Sequence, residues 1–541
     1  MAAPGKRHWA SSAQQSSWAP MASGVFRALW FAQLGSNVGT WMQTVGAQWL
    51  LVGEPDAALL VSLVQTAATL PVMLLAIPSG VLADLLDRRR LLISVQVAMA
   101  VLATALTVVT AMGLITPAVL LLLLFLLGCG QALTGPAWQA VQPELVVREQ
   151  IAAAAALGAM NVNVARAIGP ALAGVIVALF GPSFVFAVNS VSFLGIVAVL
   201  WFWKRPAADL PQPPERLLPA LHAGARYVRH APVVRRILLR ATLFILPGSA
   251  IWALLPIVSN RALHLDAAGY GVLLGALGLG AVAGASTLSR VRSVLTTNQL
   301  LALAAVLFAV GTVLPAVVSS AGVAALVLFF TGYAWLVVLS TLNSAMQLSL
   351  PAWVRARGLA TYLLVFMGGQ ALGSILWGAL AAVTGLAAAL ALAAALLLVS
   401  AVTVGLWPLR PETARMDRAV SAHWPEPVLV FEPMPEDGPV LVLKTYRVAE
   451  AQREAFRAAM SDVGKSRQRT GAVNWSLYQD GADAHRFVET FLVRSWDEHL
   501  RQHQGRLTGT DREIEQHAES FTEARPTVEH LFAAHPTGRT S

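Results

Sequence analysis

The chain has 541 residues, of which 56% are hydrophobic and only 12% are charged, and its formal net charge is +9. A soluble globular protein needs more polar surface than this, whereas a bilayer accepts apolar side chains on the outside of a fold. The composition therefore excludes a soluble protein and indicates a polytopic membrane protein. The single cysteine, Cys129, excludes a disulfide framework. The basic residues are dispersed through short loops rather than gathered on one face, so we expect no nucleic-acid partner.

Residues 1–23 have no central apolar run, so we predict a disordered cytoplasmic tail rather than a cleavable signal peptide. Twelve apolar segments follow, each long enough, at about 1.5 Å per helical residue, to cross a hydrocarbon core of about 30 Å. We predict two six-helix bundles, over 24–203 and 237–407, joined by a cytoplasmic loop over 204–236. The segments lie near 25–51, 58–83, 91–112, 117–140, 151–180, 183–203, 237–260, 268–288, 297–320, 322–346, 358–384 and 386–407.

The distribution of positive charge predicts the orientation of these segments. The even-numbered connections contain fifteen Lys and Arg residues, whereas the odd-numbered connections contain only Arg261. Because cytoplasmic loops are enriched in Lys and Arg, both termini are predicted to be cytoplasmic.

The two halves also echo each other in sequence. Gln142 precedes Gly169 by 27 residues in the first half, and Gln347 precedes Gly373 by 26 in the second. Both stretches run from the end of one segment, through a short Arg-containing loop, into a Gly-rich segment. Paired six-helix repeats are what an alternating-access transporter requires, with its site between the halves near mid-membrane.

The stretch GVLADLLDRRR, residues 80–90, lies between the second and third segments and resembles the loop motif of the major facilitator superfamily, G-x-x-x-D-R-x-G-R-R. Four positions match it: Gly80, Asp84, Arg88 and Arg89. Leu85 replaces the first arginine of the motif, and Asp87 replaces its glycine. The resemblance implies a cytoplasmic gate in which Gly80 allows close helix approach and Asp84 meets cationic groups in one state only. The alternative is that the arginines merely anchor the loop in the cytosol.

The fifth segment contains ARAIGPALAG, which resembles the G-x-x-x-G-P-x-x-G-G pattern of exporting antiporters in the same superfamily. Gly169, Pro170 and Gly174 match, and two alanines stand in for glycines. The resemblance implies export and a kinked, tightly packed helix that suits a periplasmic-side seal. Ordinary packing of small residues is the alternative.

Longer stretches, including GPAWQAVQPELVVR and TDREIEQHAESF, resemble the transmembrane secretion effectors, the branch that includes the enterobactin exporter. The resemblance implies efflux of siderophores, drugs or other secondary metabolites across the bacterial inner membrane. No carboxylate or histidine lies at the core of a segment, so proton coupling is implied by the resemblance alone. We predict no catalytic residues and no cofactor.

Polar residues on the first segment recur at helical spacing on one face, opposite a face of small residues. We predict that the polar face lines a substrate cavity and that the other face packs closely, although interhelical hydrogen bonding would also explain the polar stripe. Together with polar residues of other segments, the cavity candidates are Gln33, Asn37, Trp41, Gln48, Gln65, Gln131, Asn163, Arg166, Asn343, Gln347 and Gln370.

Arg166 is the only charged residue deep within a predicted segment. Because a guanidinium near the bilayer centre costs about 3 kcal/mol or more, it should face a cavity or a cluster of acceptors. Its partner is predicted to be either an anionic group of the substrate or carbonyls near the kink of its own helix or its neighbours.

Beyond Trp407 the composition changes, and a Pro-rich linker over 408–439 leads to a soluble region over 440–535. Residues 473–479 alternate as in a half-buried strand, and a helical stripe over 455–463 is expected to end at Gly464. The predicted order of strand, helix, strand, strand, helix, strand indicates a ferredoxin-like domain. It resembles the domains of antibiotic-biosynthesis monooxygenases, some relatives of which degrade haem.

Six of the eleven histidines fall in this region, and the spacing of His499 and His503 can bind metal. Surface histidines in a helix rich in Arg and Glu need no ligand, so we predict no metal site and a role in regulation or dimerisation. The alternative is a bifunctional chain whose C-terminal domain is a cofactor-independent monooxygenase or haem-handling enzyme that acts on the cargo.

Overall fold

The computed structural model describes residues 18–203, 217–409, 420–421, 423–424, 429–431 and 433–533. Most of the predicted N-terminal tail, the first part of the central loop and much of the Pro-rich linker lie outside these residues. By their contacts, the described residues form two compact units. Of the described residues, the first unit contains 18–203, 240–341 and 363–408, and the second contains 217–239, 342–362 and those between 409 and 533.

In the described part of the chain, twelve helices have 21 residues or more. Six precede the central loop: α1 (Gly24–Leu51), α2 (Ala57–Leu85), α3 (Arg88–Ala111), α4 (Pro117–Val141), α5 (Ile151–Phe180) and α6 (Pro182–Phe202). After a shorter helix, α7 (Leu217–His230), six more follow: α8 (Pro232–Ile257), α9 (Ala267–Val294), α10 (Thr297–Val317), α11 (Ala321–Ser349), α12 (Ala352–Thr384) and α13 (Leu386–Leu406).

Eleven of these long helices are apolar enough to cross a membrane, counted over the described residues. The exception is α1, which carries the polar stripe. The mainly helical membrane architecture predicted from composition is therefore confirmed, whereas the count of twelve spans stays a prediction.

Local sequence explains where the long helices begin and end. Asp87, Thr116 and Asp266 each accept a hydrogen bond from a backbone N–H in the first turn of α3, α4 and α9. Asp87, which departs from the gate motif, is thus the N-cap of α3. Gly181 and Gly385 adopt φ of 79° and 90° between consecutive helices, a conformation that favours glycine.

The central connection is not a loop throughout, because α7 is an amphipathic helix and α8 begins at Pro232. The predicted connection over 204–236 therefore contains helical structure from residue 217 onward, and its role as the cytoplasmic link between the bundles stays a prediction. Proline is well suited to the first position of a helix, since its fixed φ matches the helix and its missing N–H has no partner to lose.

The C-terminal region contains a four-stranded antiparallel sheet in the order β2-β3-β1-β4. Its strands are β1 (Val440–Arg447), β2 (Asn474–Gln479), β3 (Arg486–Val493) and β4 (Thr527–Phe532), and its helices are α14 (Arg453–Thr470), α15 (Trp496–Arg501) and α16 (Gly509–Glu519). Phe456, Met460 and Val463 of α14 pack with Tyr446 and Phe487 of the sheet in one core. The predicted alternation of strands and helices is found here.

The predicted end of α14 at Gly464 is wrong, because the helix continues to Thr470. A Cβ at Gly464 would lie 2.7 Å from the indole of Trp475. The glycine therefore allows the helix to approach the sheet closely and does not cap it.

Candidate functional site

A cavity of about 580 Å³ lies among α1, α4 and α5 of the first six-helix group. Three predicted candidates, Gln33, Asn37 and Gln131, line it. Sequence reasoning did not assign the aromatic side chains beside them, Trp30 and Trp138, to the cavity. The wall thus combines amides with indole rings, a lining suited to a small molecule that has both polar and apolar parts.

A chain of amide hydrogen bonds crosses the wall of this cavity. Gln33 Nε2 donates to Asn37 Oδ1 (3.2 Å), Asn37 Nδ2 donates to Asn161 Oδ1 (2.9 Å), and Asn161 Nδ2 donates to the carbonyl of Trp30 (2.8 Å). Gln33 Oε1 is buried and has no hydrogen-bond partner among the described residues. The polar stripe therefore joins α1 to α5 and leaves one acceptor free, and its use in binding a substrate stays a prediction.

Two glycines on the small-residue face of α1 make the close contacts predicted for that face, whereas a Cβ at Gly35 would meet nothing within 4 Å. A Cβ at Gly39 would lie 3.0 Å from Ser192 Oγ of α6 and 3.1 Å from the Cα of Asn189, and one at Gly46 would lie 3.2 Å from Val185. These glycines let α1 and α6 approach closely, which keeps the opposite face of α1 turned toward the cavity and α5.

Arg166 lies with its guanidinium 5.7 Å from the centre of the Trp41 ring. Its Nε is buried and has no hydrogen-bond partner in the part of the chain that the structure describes. A cation over an indole is stabilised by roughly 0.5–2 kcal/mol, less than burial of an arginine costs. Two kinds of partner are expected for Arg166, an anionic group of the substrate or backbone carbonyls. Its Nε makes no hydrogen bond to a carbonyl of the described residues.

The other candidates lie away from the lining of the 580 Å³ cavity. Gln48 accepts a hydrogen bond from Tyr270 Oη (2.6 Å), and Gln65 Nε2 donates to Gln370 Oε1 (3.3 Å), so these side chains join the two halves. Asn163 Nδ2 donates to the carbonyl of Ala159 in its own helix (3.0 Å).

The last two candidates, Asn343 and Gln347, are exposed on α11, where Gln347 Nε2 donates to Asn343 Oδ1 (3.4 Å). Both residues fall in the second compact unit, which contains the C-terminal region, whereas the cavity lies in the first.

The export-type motif places α5 against two helices. A Cβ at Gly169 would lie 2.7 Å from the Cβ of Trp41 in α1, and one at Gly174 would lie 2.8 Å from the Cα of Gly271 in α9. Pro170 contributes its carbonyl to the same crossing, 2.8 Å from a Cβ placed on Gly271. The motif therefore packs the first half against the second through backbone contact.

We expect Gly174→Val to lower the melting temperature in detergent by several degrees, because a side chain has no room at this crossing and overpacking costs about 1–3 kcal/mol. Gly195→Val is the matched control, since Gly195 is also helical but a Cβ there would meet nothing within 4 Å. Equal melting temperatures for the two variants would show that the crossing tolerates a side chain.

The arginines of the gate motif bind the ends of helices. Arg88 donates to Glu144 Oε1 (2.9 Å) and to the carbonyl of Ala140 near the end of α4 (3.3 Å). Arg89 donates to the carbonyls of Leu200 (2.7 Å) and Trp201 (2.8 Å) at the end of α6. Cations are favourable at helix C-termini, where carbonyls lack partners. These arginines thus hold the first bundle together at this end.

The two remaining residues of the gate motif are Gly80 and Asp84, both in α2. A Cβ at Gly80 would meet nothing within 4 Å, so the close helix approach expected there is not made in this conformation. Asp84 lies in the last turn of α2, and its side chain is outside the described residues.

A second cavity, of about 600 Å³, lies in the C-terminal region. His499, His503 and His530 line it together with Trp424 and Lys444. His499 is only 1% exposed and His503 is half-buried, so the prediction that these histidines are on the surface is wrong for His499. The side chain of His499, which belongs to the short α15, lies beside Phe491 and Trp496. His530 comes from β4, which no spacing rule connects with α15.

A buried charge network lies beside this cavity. Arg467 is 1% exposed and donates to Glu489 (2.9 Å) and Glu515 (2.5 Å). Burial alone would lower the pKa of Arg467, but the two carboxylates raise it above its usual value. Burial would raise the pKa of Glu515, and Arg467 holds it below its usual range. All three groups are therefore charged in the folded protein.

The helical arrangement is shared with solved transporters. It matches the crystal structure of a bacterial homologue of the human lysosomal transporter Spinster, in an inward-facing and occupied conformation, with a TM-score of 0.57 and 14% identity over 72% of this chain and 97% of that one. The fold is that of a multi-pass membrane transporter of the major facilitator type. A family model described as transmembrane secretion effector matches residues 15–537, and the chain belongs to this family.

Curated relatives are also transporters. The staphyloferrin A transporter of Staphylococcus aureus is 24% identical over 237 residues, which are 43% of this chain and 59% of that protein. The multidrug efflux pump Tap of Mycolicibacterium fortuitum is 26% identical over 373 residues, or 66% of this chain and 89% of that pump. The chain thus spans about six tenths of the length of the staphyloferrin A transporter.

Proposed function

We propose that the chain exports a small molecule, such as a siderophore, a drug or another secondary metabolite, by alternating access and with proton coupling. We also propose that the chain lies in the bacterial cytoplasmic membrane, with twelve spans and both termini in the cytoplasm. The names of the two curated relatives, the staphyloferrin A transporter and the multidrug efflux pump Tap, support transport of small molecules, and the second supports export.

One observation carries the proposal. The amide-lined cavity extends toward the end of the bundle where α1 begins, near Phe26, and α4 ends, near Gln142. Toward the opposite end, where α1 ends, Gln48 bonds Tyr270 and the small residues of α5 and α9 are in contact. All lining residues of this cavity belong to the first half, and the joined pair of halves toward the other end supports one state of an alternating-access cycle. With α1 beginning in the cytoplasm, this state faces inward.

The function is tested in a deletion strain by extracellular metabolomics, with the wild-type chain restored on a plasmid. We expect at least one secreted metabolite to disappear from the medium, to accumulate inside the cells, and to return on complementation. Unchanged extracellular and intracellular profiles under conditions in which the chain is expressed would contradict export.

The orientation is tested separately, because Cys129 is the only cysteine. In a Cys129→Ala background, Glu54→Cys is predicted to face outward and Arg90→Cys to face the cytoplasm. A membrane-impermeant maleimide should label the first in intact cells and the second only after lysis. The reverse pattern would invert the proposed topology.

For the C-terminal region we propose a ferredoxin-like domain with a regulatory role. The antiparallel order β2-β3-β1-β4, with helices between β1 and β2 and between β3 and β4, supports that fold. Of the two roles expected for the domain, regulation is the one that its contacts favour.

Those contacts form a clamp, which we define as Arg226, Tyr227, Trp353, Glu498 and Arg506. Glu498 accepts from Arg226 of α7 (2.6 Å) and from Arg506 (2.6 Å). Arg506 lies 4.8 Å from the centre of the Trp353 ring in α12, against which Tyr227 packs edge-on at 5.7 Å. The clamp therefore joins the central helix and the start of α12 to the domain, and a ligand that displaced it would free two elements next to the membrane helices.

We expect Glu498→Gln to loosen α7, because the variant removes the negative charge from three hydrogen bonds with Arg226 and Arg506, and its amide nitrogen cannot accept the one that Oε2 receives. Trypsin should then cut after Arg226 or Arg229 at least about tenfold faster than in the wild type. Asp497→Asn is the control, since Asp497 pairs with Arg501 on the surface, where both side chains are 45% exposed. Equal cutting rates for both variants would contradict the clamp.

A further inference from the structure

Three imidazole rings converge on the wall of the 600 Å³ cavity. His499 Nε2 lies 2.9 Å from His530 Nε2 and 3.2 Å from His503 Nε2. One ligand nitrogen from each ring lies within 4.8 Å of the others. Two of the residues are one helical turn apart, and the third is supplied by β4, so the fold assembles the cluster.

The orientation of the His499 ring is set by the hydrogen-bond partner of its Nδ1 atom. Gln502 Nε2 donates to Thr470 Oγ1 (3.3 Å), which turns the amide oxygen of Gln502 toward His499 Nδ1 (3.2 Å). Because an amide oxygen only accepts, Nδ1 must be the protonated nitrogen of a neutral His499 ring. Its Nε2 therefore presents a lone pair to the other two rings. A hydrogen bond of this kind on the far nitrogen is what orients the histidine ligands of metal ions in proteins.

Hydrogen bonds alone do not satisfy this cluster. The single lone pair of His499 Nε2 accepts one N–H, from either His503 or His530, and the other ring nitrogen is then left facing it without a bond. A cation placed among the three lone pairs satisfies all of them at once.

We propose that His499, His503 and His530 bind a divalent transition-metal ion through their Nε2 atoms, with its remaining coordination position facing the cavity. Zn–N bonds of about 2.0–2.1 Å in tetrahedral geometry separate ligand nitrogens by about 3.3 Å, close to the observed 2.9 and 3.2 Å. Neutral imidazoles suit Zn²⁺, Cu²⁺, Ni²⁺ and Fe²⁺, whereas Mg²⁺ and Ca²⁺ prefer oxygen ligands.

The surroundings hold the rings in place and keep the site open on one side. Trp424 packs edge-on against His503 at 4.8 Å between ring centres, and Trp496 lies 5.4 Å from His499. The remaining cavity wall is largely apolar, with Phe431, Val442 and Leu531. Three protein ligands and one open position are typical of metal sites that bind an exchangeable water or an external ligand, and structural sites use four.

The test uses the tag-free full-length protein in detergent, because an oligohistidine tag would bind the same ions. After treatment with EDTA and removal of the chelator, Zn²⁺ or Co²⁺ is titrated and the bound metal is measured by mass spectrometry. We expect one ion per chain, visible d–d absorption of four-coordinate Co²⁺, and a change in tryptophan fluorescence, since two indoles contact the cluster.

Two variants each remove one ligand, His503→Ala and His530→Ala, and both should weaken Zn²⁺ binding by at least about tenfold. His517→Ala is the matched control, because His517 lies exposed on α16 in the same domain. Zn²⁺ should also raise the melting temperature of the wild type and of the control but not of the two ligand variants. The melting temperature of each variant without Zn²⁺ shows whether a variant that no longer binds the metal has kept its fold.

Two results would overturn the proposal. One is a wild-type chain that takes up less than one ion under these conditions. The other is binding of equal strength in the wild type, the ligand variants and the His517→Ala control, which would place the ion elsewhere.

Discussion

Replacing Arg166 with glutamine is expected to reduce export of anionic cargo by at least tenfold, about 1.4 kcal/mol, while the protein keeps its melting temperature within a few degrees. Its Nε is buried with no hydrogen-bond partner among the described residues, and its guanidinium has the Trp41 ring as its neighbour. A side chain with so few fixed bonds has little native stability to lose. An anionic group of the cargo would supply the missing charge and acceptors, which favours the substrate as its partner.

Arg240 is the natural contrast, because its two terminal guanidinium nitrogens donate to fixed acceptors, whereas its Nε, like that of Arg166, has no partner among the described residues. It is 4% exposed and donates to the carbonyl of Ser400 (3.0 Å), the hydroxyl of Thr403 (3.0 Å) and the carbonyl of Trp407 (3.0 Å), near the end of α13. Arg240→Gln should therefore lower the melting temperature and reduce export of every cargo alike.

Export is measured with one anionic and one neutral fluorescent efflux dye of similar size, in cells that carry equal amounts of each variant. Arg166→Lys keeps the charge but loses the planar fork, so it should lie between the wild type and Arg166→Gln for the anionic dye. If Arg166→Gln instead melts as early as Arg240→Gln and loses both dyes equally, Arg166 has a structural role.

The largest effect on stability is expected from Arg467→Met, which should destabilise the C-terminal domain by about 3–5 kcal/mol. The change leaves Glu489 and Glu515 buried without the arginine that bonds both, and among the described residues only Lys444, whose Nζ is 3.7 Å from Glu515 Oε2, remains as a lysine or arginine partner in the network. Glu489 also accepts from Tyr446 Oη (2.7 Å) and Trp475 Nε1 (2.9 Å), but neutral donors do not replace a charge. Thermal unfolding of the domain, followed by tryptophan fluorescence in the full-length protein, measures the loss.

A triple variant separates lost charge from lost packing. Adding Glu489→Gln and Glu515→Gln to Arg467→Met removes the orphaned charges and should recover part of the stability, because well-packed neutral groups can replace a buried ion network. If the single variant melts like the wild type, or if the triple variant is less stable than the single one, the ion network does not contribute as described.

The same network predicts how stability depends on pH. Arg467 holds the pKa of Glu489 and Glu515 below the value of an unfolded glutamate, despite their burial. Their contribution to stability is therefore present above the usual carboxylate range and is lost as the pH falls through the lowered folded values. The loss of this stability contribution at low pH is expected in the wild type. It should be absent from the triple variant, which lacks both glutamates.

Much of the membrane part could be predicted from the sequence, because the physical rule there is local. A helix that crosses a bilayer must be long and apolar, and every segment predicted from composition alone is helical in the structure. The polar stripe of α1 follows from helical periodicity, since spacing of three or four residues places side chains on one face. The glycines on its other face could likewise be assigned to packing.

The assignment of side chains to the cavity could not be made from spacing. Gln33, Asn37 and Gln131 line the cavity of the first bundle, whereas Gln48, Gln65 and Gln370, which look the same in sequence, join the two halves. Periodicity shows which residues share a face, but the neighbouring helix decides whether that face meets a cavity or a partner. The same limit applies to the gate arginines, whose acceptors are carbonyls of helices far away in the chain.

The C-terminal domain shows the division most clearly. Alternating patterns determined its order of strands and helices, because each pattern reflects burial on one side of one element. Only the tertiary structure decided that α14 continues past Gly464, where the glycine meets Trp475, and that α15 is buried. It also brought His530 of β4 to His499 and His503. Contacts between residues distant in sequence depend on how the sheet and helices pack, and that packing leaves no local pattern in the chain.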